Sequence, residues 1–224
     1  MSAPRRGRFI TLEGGEGAGK STQVQLLAQK LEPMGISVVV TREPGGSPGA
    51  EALRDVILSG KAAPFGPAGE ALLFSAARID HIDQTIAPAL NRGAWVICDR
   101  FADSTRAYQG AAGSLDPALI ASLERVAVGD MKPDLTLILD LATEKGLARA
   151  AARRGSMGKA DRFEREGALF HETLRQAFLD IARAEPQRCA VIDADKSPEE
   201  VAQAIWTCVR ERLAPAFETK GSPR

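Results

Sequence analysis

The sequence predicts an α/β fold, a doubly wound sheet of about five parallel strands flanked by helices, on three observations. Short apolar runs alternate with stretches at helical spacing along the 224 residues. Those runs are continuous rather than alternating, as strands covered on both faces require. The first run leads directly into a glycine-rich loop of the form G-x-x-x-x-G-K-[ST], which works only between a buried strand and a helix N-terminus.

The first strand is placed at 8–12, through Phe9-Ile10-Thr11-Leu12. The loop that follows is Gly14, Gly15, Glu16, Gly17, Ala18, Gly19, Lys20 and Ser21, and Thr22 continues into a helix at 19–32. Its glycines let successive N–H groups turn inward towards a phosphate, and the helix dipole adds positive potential there. Lys20 then reaches the β- and γ-phosphates, and the Ser21 hydroxyl ligates Mg²⁺. The loop implies a bound nucleoside triphosphate. Further strands are expected at 36–40, 95–98, 135–139 and 190–192, with helices at 48–59, 67–91, 116–128, 143–152, 163–184 and 197–212. Ser197 as N-cap with Pro198 at the first helical position marks the last helix. No repeat, low-complexity stretch or linker divides the chain, so residues 8–213 read as one domain, with flexible tails at 1–7 and 214–224.

Lys and Arg total 29, as do Asp and Glu, so no net charge draws the chain to nucleic acid or to a membrane. With 44% hydrophobic residues it buries a substantial core. Cys98, Cys189 and Cys208 are far apart and lack metal-ligand spacing, which fits a reducing cytoplasm. The basic N-terminus has no apolar segment behind it, so no signal peptide is expected.

Ligands in such sheets bind beyond the C-terminal strand ends, where polar groups gather here: the loop, Thr41-Arg42-Glu43-Pro44-Gly45-Gly46, Asp99-Arg100-Phe101 and Asp193-Ala194-Asp195. Trp95 to Asp99 has the form of a Walker B strand, placing Asp99 as a second Mg²⁺ ligand opposite Ser21. Arg100 beside it is suited to clamp a phosphate, or to pair structurally with Asp99. Phe74 and Arg78, four apart, share a helix face that would stack a base and donate to its carbonyls. An aromatic at that spacing serves equally as core. Residues 149–165 hold Arg149, Arg153, Arg154, Lys159, Arg162 and Arg165 against only Asp161 and Glu164. Gly155-Ser156-Met157-Gly158 in their midst resists helix, so a basic lid at about 150–163 closing over phosphates competes with a solvated charge run. His81 and His171 lack triad partners and read as ordinary helix surface or core, and the absence of N-K-x-D counts against a GTPase.

These motifs, together with Glu13 ahead of the loop, Leu73-Phe-Ser-Ala-Ala-Arg78, Ser104-Thr-Arg-Ala-Tyr-Gln-Gly110, Pro133-Asp-Leu-Thr-Leu137 and Asp161-Arg-Phe-Glu164, resemble the thymidylate kinases, specifically bacterial members with a basic lid. The resemblance runs from residue 8 to about 210 and implies a nucleoside monophosphate kinase-like fold with a short lid. It implies transfer of the γ-phosphate of ATP to dTMP with Mg²⁺, giving dTDP for dTTP synthesis, in a homodimer. It also implies residue roles. Phe74 would stack on thymine and Arg78 would bond its O4, with Thr105 and Gln109 at the remaining polar edge. Tyr108 would pack beside the deoxyribose, and Arg54 and Arg100 would hold the acceptor phosphate. Glu16 would sit near the 3′-hydroxyl, and Glu43 would shape the acceptor pocket. The loop carries no basic residue between Gly14 and Gly19, so the catalytic cation beside Lys20 and Arg100 is expected from the lid, with Arg153 first among Arg153, Arg154, Lys159 and Arg162. A kinase for another nucleotide or deoxynucleoside, with Glu43 as base, and a nucleotide-switched ATPase or GTPase are the competing readings.

Overall fold

The computed structural model describes residues 6–154 and 162–217. β1 (Phe9–Glu13) lies at the centre of a five-stranded sheet ordered β2-β3-β1-β4-β5, with β2 at Val38–Arg42, β3 at Trp95–Asp99, β4 at Leu135–Asp140 and β5 at Cys189–Asp193. All pairings are parallel. Every residue of β1 is buried, which explains its unbroken apolar run up to Glu13. One polar pair is tolerated inside the sheet, because Thr11 and Thr136 bond each other at 2.8 Å.

The register places the site. Leu12 pairs with Asp99 and Glu13 with Ile138, so β1 and β3 end side by side and the loop after β1 faces the turn after β3. On one face, α1 (Lys20–Leu31) and α9 (Pro198–Arg212) cover the sheet through Val24, Leu27, Leu31, Val201, Ile205 and Val209. Ser197 caps α9 in a reciprocal capping box with Glu200, as the Ser-Pro-Glu-Glu signature predicts. Residues 214–217, assigned by sequence to a tail, form the short helix α10, because Phe217 packs against Trp95 and Trp206 at 5.3 and 5.9 Å.

The opposite face is covered by α2 (Pro48–Leu58), α3 (Gly66–His81), α4 (Ala87–Asn91), α5 (Ala102–Thr105) and α8 (Ala168–Ala184), with α6 (Pro117–Ala127) against α3 and α7 (Thr143–Arg154) against α8. Three details differ from expectation. The single helix expected over 67–91 is α3 and α4 joined by a widened π turn at Ile82–Ile86, just before Pro88, which has no N–H to give back to the preceding turn. The helix expected from 163 begins at Ala168, after turns ending at Gly167. A helical segment absent from the sequence reading, α5 and a second π turn at Arg106–Ala112, fills the span after β3. Ala102, Asp103, Thr105, Ala107, Tyr108 and Gln109 are all buried, so this segment shows no solvent-facing stripe from which a helical period is read.

Candidate active site

The loop is a close-packed turn against α7. A Cβ on Gly17, whose φ is +69°, would lie 2.0 Å from the Gly146 carbonyl oxygen, and one on Gly146 would lie 2.4 Å from that of Glu16. Only paired glycines allow the two backbones to approach so closely. Lys20 is buried, and its Nζ donates to the carbonyls of Gly14 and Gly15 at 3.0 and 2.8 Å. Burial, reinforced by Arg100, lowers the ammonium to about 8 in spite of Glu16 and Asp99.

The parallel register carries the Asp99-Arg100 turn over this loop. Ser21 Oγ donates to Asp99 Oδ2 at 2.5 Å, so a hydroxyl and a carboxylate meet at the head of α1. Both are hard oxygen donors of the kind Mg²⁺ takes. Arg100 has φ +71°, a left-handed conformation costly to a side chain that long. The turn is held from several sides. Arg100 N–H donates to Leu12 O, Cys98 Sγ to Arg100 O, and Phe101 N–H to Glu13 Oε1. The Arg100 guanidinium, 5.0 Å over the Tyr108 ring, donates to Gly14 O at 3.0 Å and to Glu16 Oε1 at 2.7 Å. Tyr108 Oη donates to the same Glu16 oxygen at 2.7 Å. Burial alone would raise the Glu16 carboxyl, but Arg100 and Lys20 prevail and hold it at about 2.

Two supporting residues were given no role in the site by sequence reading. Glu13 is fully buried and also accepts from Ser104 Oγ at 2.7 Å. Burial and then Asp103 push its carboxyl up to about 8. An acid closing an otherwise apolar strand was the available signal. His81, read as surface or core, is core and meets two polar side chains: Nδ1 lies 3.1 Å from Glu43 Oε1 and Nε2 lies 2.7 Å from Thr41 Oγ1. His171 is buried, with neither ring nitrogen hydrogen-bonded.

A cavity of about 240 Å³ opens between these groups. Glu16, Lys20, Ser21, Thr22, Asp99 and Arg100 line its donor end. Glu43, Arg54, Phe74, Arg78, Thr105, Tyr108 and Gln109 line the other end, so the predicted donor and acceptor residues share one cleft. Arg78 is buried, donating from Nε to Glu43 Oε2 at 2.8 Å and from one terminal nitrogen to Phe101 O and Thr105 Oγ1. Arg54 donates to Pro44 O at 2.5 Å. Phe74 is half-buried, 6.1 Å from Phe163.

The lid residues divide. Arg153 lines the cavity, 66% exposed and 3.6 Å from Glu164. Arg162 turns away, its Nε donating to Glu70 Oε1 at 2.8 Å and its other end paired with Glu166. Lys159 and the Arg154 side chain lie outside the described residues.

A phosphate loop at the central strand and a base-sized cleft facing it define a P-loop phosphotransferase with donor and acceptor ends. A family model described as thymidylate kinase matches residues 12–205. A thymidylate kinase from Bradyrhizobium sp. (strain ORS 278) is 59% identical over 210 residues, covering 94% of this chain and 92% of that protein. One from Nitrobacter hamburgensis is 56% identical over 208 residues, covering 93% and 90%. The crystal structure of thymidylate kinase from Ehrlichia chaffeensis superposes with a TM-score of 0.73 at 35% identity, over 91% of this chain and 99% of that one. The chain belongs to the thymidylate kinase family, and it is a phosphotransferase.

Proposed function

We propose that the chain transfers the γ-phosphate of ATP to dTMP, giving dTDP and ADP. The observation that carries this reading is the single cleft joining Lys20, Ser21 and Asp99 to Phe74, Arg78, Thr105, Tyr108 and Gln109. In it, the loop N–H groups and Lys20 bind the donor phosphates, and Arg100 and Arg54 hold the acceptor phosphate in line. Phe74 offers a stacking face, Arg78 a donor for a pyrimidine carbonyl, and the Tyr108 ring a wall against a 2′-hydroxyl. Phosphate oxygens are already nucleophilic, so positioning and charge neutralisation carry the step and no strong base is needed. Ser21 and Asp99 would hold Mg²⁺, which when bound neutralises phosphate charge. Arg153 from the lid would supply the further cation.

Glu43 argues against a nucleoside acceptor. That chemistry wants a free carboxylate base, and both Glu43 oxygens are engaged, by Arg78 and by His81. Steady-state assays across the nucleoside monophosphates test the reading. Turnover of dTMP well above dUMP, with negligible AMP and CMP, is expected, and equal turnover of AMP would overturn it.

A homodimer through α3 and α6 belongs to the same proposal. Leu72 and Ile79 on α3 and Leu119 and Val126 on α6 are exposed, Val126 to 75%, on two helices in contact. Light scattering should give a dimer for the parent and a monomer for Val126→Asp, and a monomeric parent would remove it. No described helix is long and apolar enough to cross a membrane, and all three cysteines are free. Both support a cytoplasmic site, which cell fractionation tests.

A further inference from the structure

We infer that His81 is a positioning residue for base discrimination, acting on the acceptor through Glu43 and Arg78. This rests on the dTMP reading above and names a residue beneath that site which touches no substrate.

The four side chains form one buried relay from β2 to the cavity. Thr41 is 9%, His81 0%, Glu43 6% and Arg78 3% exposed. Glu43, paired with Arg78, is a carboxylate and only accepts, so His81 Nδ1 carries the proton and donates to Oε1 at 3.1 Å. On the other side of the ring, Nε2 is hydrogen-bonded to the Thr41 hydroxyl at 2.7 Å. Held there, Glu43 offers Oε2 to Arg78 Nε at 2.8 Å. Arg78 is fixed a second time by Phe101 O and Thr105 Oγ1, and its guanidinium lies 5.2 Å over the Phe101 ring. Each member therefore constrains the next, and only Arg78 and Glu43 reach the cavity wall.

Two backbone features are shaped around the ring. Gly46, at φ +86°, clears the space, since a Cβ there would lie 2.3 Å from Thr41 Oγ1 and 2.5 Å from His81 Nε2. His81 is also the last residue of α3, immediately before the π turn at Ile82–Ile86. Such widened turns re-aim side chains and gather at functional sites.

The consequence lies in discrimination rather than in rate. A thymine O4 accepts where a cytosine N4 amine donates, so a guanidinium locked in place separates the two, and a loosened one adapts to either. His81→Leu removes both ring contacts. Asn at 81 places its amide near the Nδ1 position and keeps a donor for Glu43, whereas Gln reaches towards Thr41. The measurement is kcat/KM for dTMP and for dCMP in parent, His81→Leu, His81→Asn and His81→Gln, with thermal unfolding of each. The dTMP-to-dCMP ratio should fall about tenfold or more in His81→Leu, mainly through a raised KM for dTMP, and return substantially in His81→Asn. A ratio unchanged in His81→Leu, with both substrates slowed alike, would overturn the inference. Should His81→Leu fail to fold, Asn and Gln decide, and Gln equal to or better than Asn overturns it. A parent inactive on dTMP would remove the dTMP reading itself, a separate outcome.

Discussion

Replacing Glu16 with glutamine isolates the charge that keeps the phosphate loop cationic. The carboxylate sits 2.7 Å from Arg100 and is held at about 2 against an ordinary 4.5, a difference worth about 3 kcal/mol. The sign follows from the depressed value. That stability is fully present above about pH 4.5 and is lost as pH falls through about 2. The same charge acts in return on Lys20, which burial and Arg100 lower to about 8 while Glu16 holds it up. Glu16→Gln keeps an acceptor for Tyr108 but removes the counter-charge, which lets burial and Arg100 lower the Lys20 ammonium further. A lysine at about 8 is about three-quarters charged at about pH 7.5, and any further lowering takes charge from it steeply at that pH. The alkaline limb of kcat/KM for ATP, which reports free-enzyme ionisations, should therefore move to lower pH in the variant, with kcat/KM at about pH 7.5 several-fold below the parent's. Acid unfolding of the variant should also lose the dependence between about pH 4.5 and about 2. An alkaline limb superimposed on the parent's would refute the claim that Glu16 sets the charge of Lys20.

Three further substitutions probe separate parts of the site. Glu13, raised to about 8 by burial and Asp103, binds a proton in the fold where the unfolded chain has lost it. Its contribution to stability thus declines by about 1.4 kcal/mol per pH unit between about 4.5 and about 8. Urea midpoints of Glu13→Gln should fall less steeply than the parent's over that window, and parallel lines would count against a protonated Glu13. Gly46→Ala meets a positive φ and two side-chain contacts at or under 2.5 Å. It should cost about 2–4 kcal/mol in thermal unfolding, and an unchanged Tm would mean the Thr41–His81 pair can yield. Arg153→Ala should lower kcat by about 10³ while KM for dTMP moves only a few-fold, and an unchanged kcat would send the catalytic cation elsewhere in the lid.

The parts legible in the sequence are those whose chemistry is contiguous. The loop from Gly14 to Ser21, the apolar strands and the Ser197 cap each carry their signal within about ten residues, and the structure has β1, β3 and α9 at those places. Phe74 and Arg78 were legible as a pair four apart, but spacing did not distinguish a binding face from core. The supporting residues depend on closure of the whole chain. His81 meets Glu43 across 38 residues, and Glu13 meets Phe101 and Ser104 across 88 and 91. Asp103 is bonded by Arg188 across 85, and Arg106 and Glu185, which are paired, across 79. No local period reports such contacts. The helical segment after β3 was missed for the same reason, since its buried polar residues answer to partners elsewhere in the sequence.

The distribution of charge in the loop gives the proposed lid cation a physical reason. Lys20 and Arg100 are the loop's resident cations, yet both share the Gly14 carbonyl and both lean on Glu16. One carboxylate stabilises two like charges that would otherwise repel in a buried site. With Asp99 also beside them, Lys20 and Arg100 are matched by two carboxylates, so these four groups leave no surplus of positive charge to meet two phosphate chains. In the reaction proposed above, Mg²⁺ at Ser21 and Asp99, Arg54 and a lid cation would together meet that deficit. Among the described lid side chains, Arg162 is committed to Glu70 and Glu166, whereas Arg153 lines the cavity on a largely exposed stem. If Arg153 is the lid cation proposed above, that exposure keeps the guanidinium hydrated until substrate arrives, and its desolvation would coincide with charge development at the phosphates, where it would stabilise the transition state more than the bound ground state.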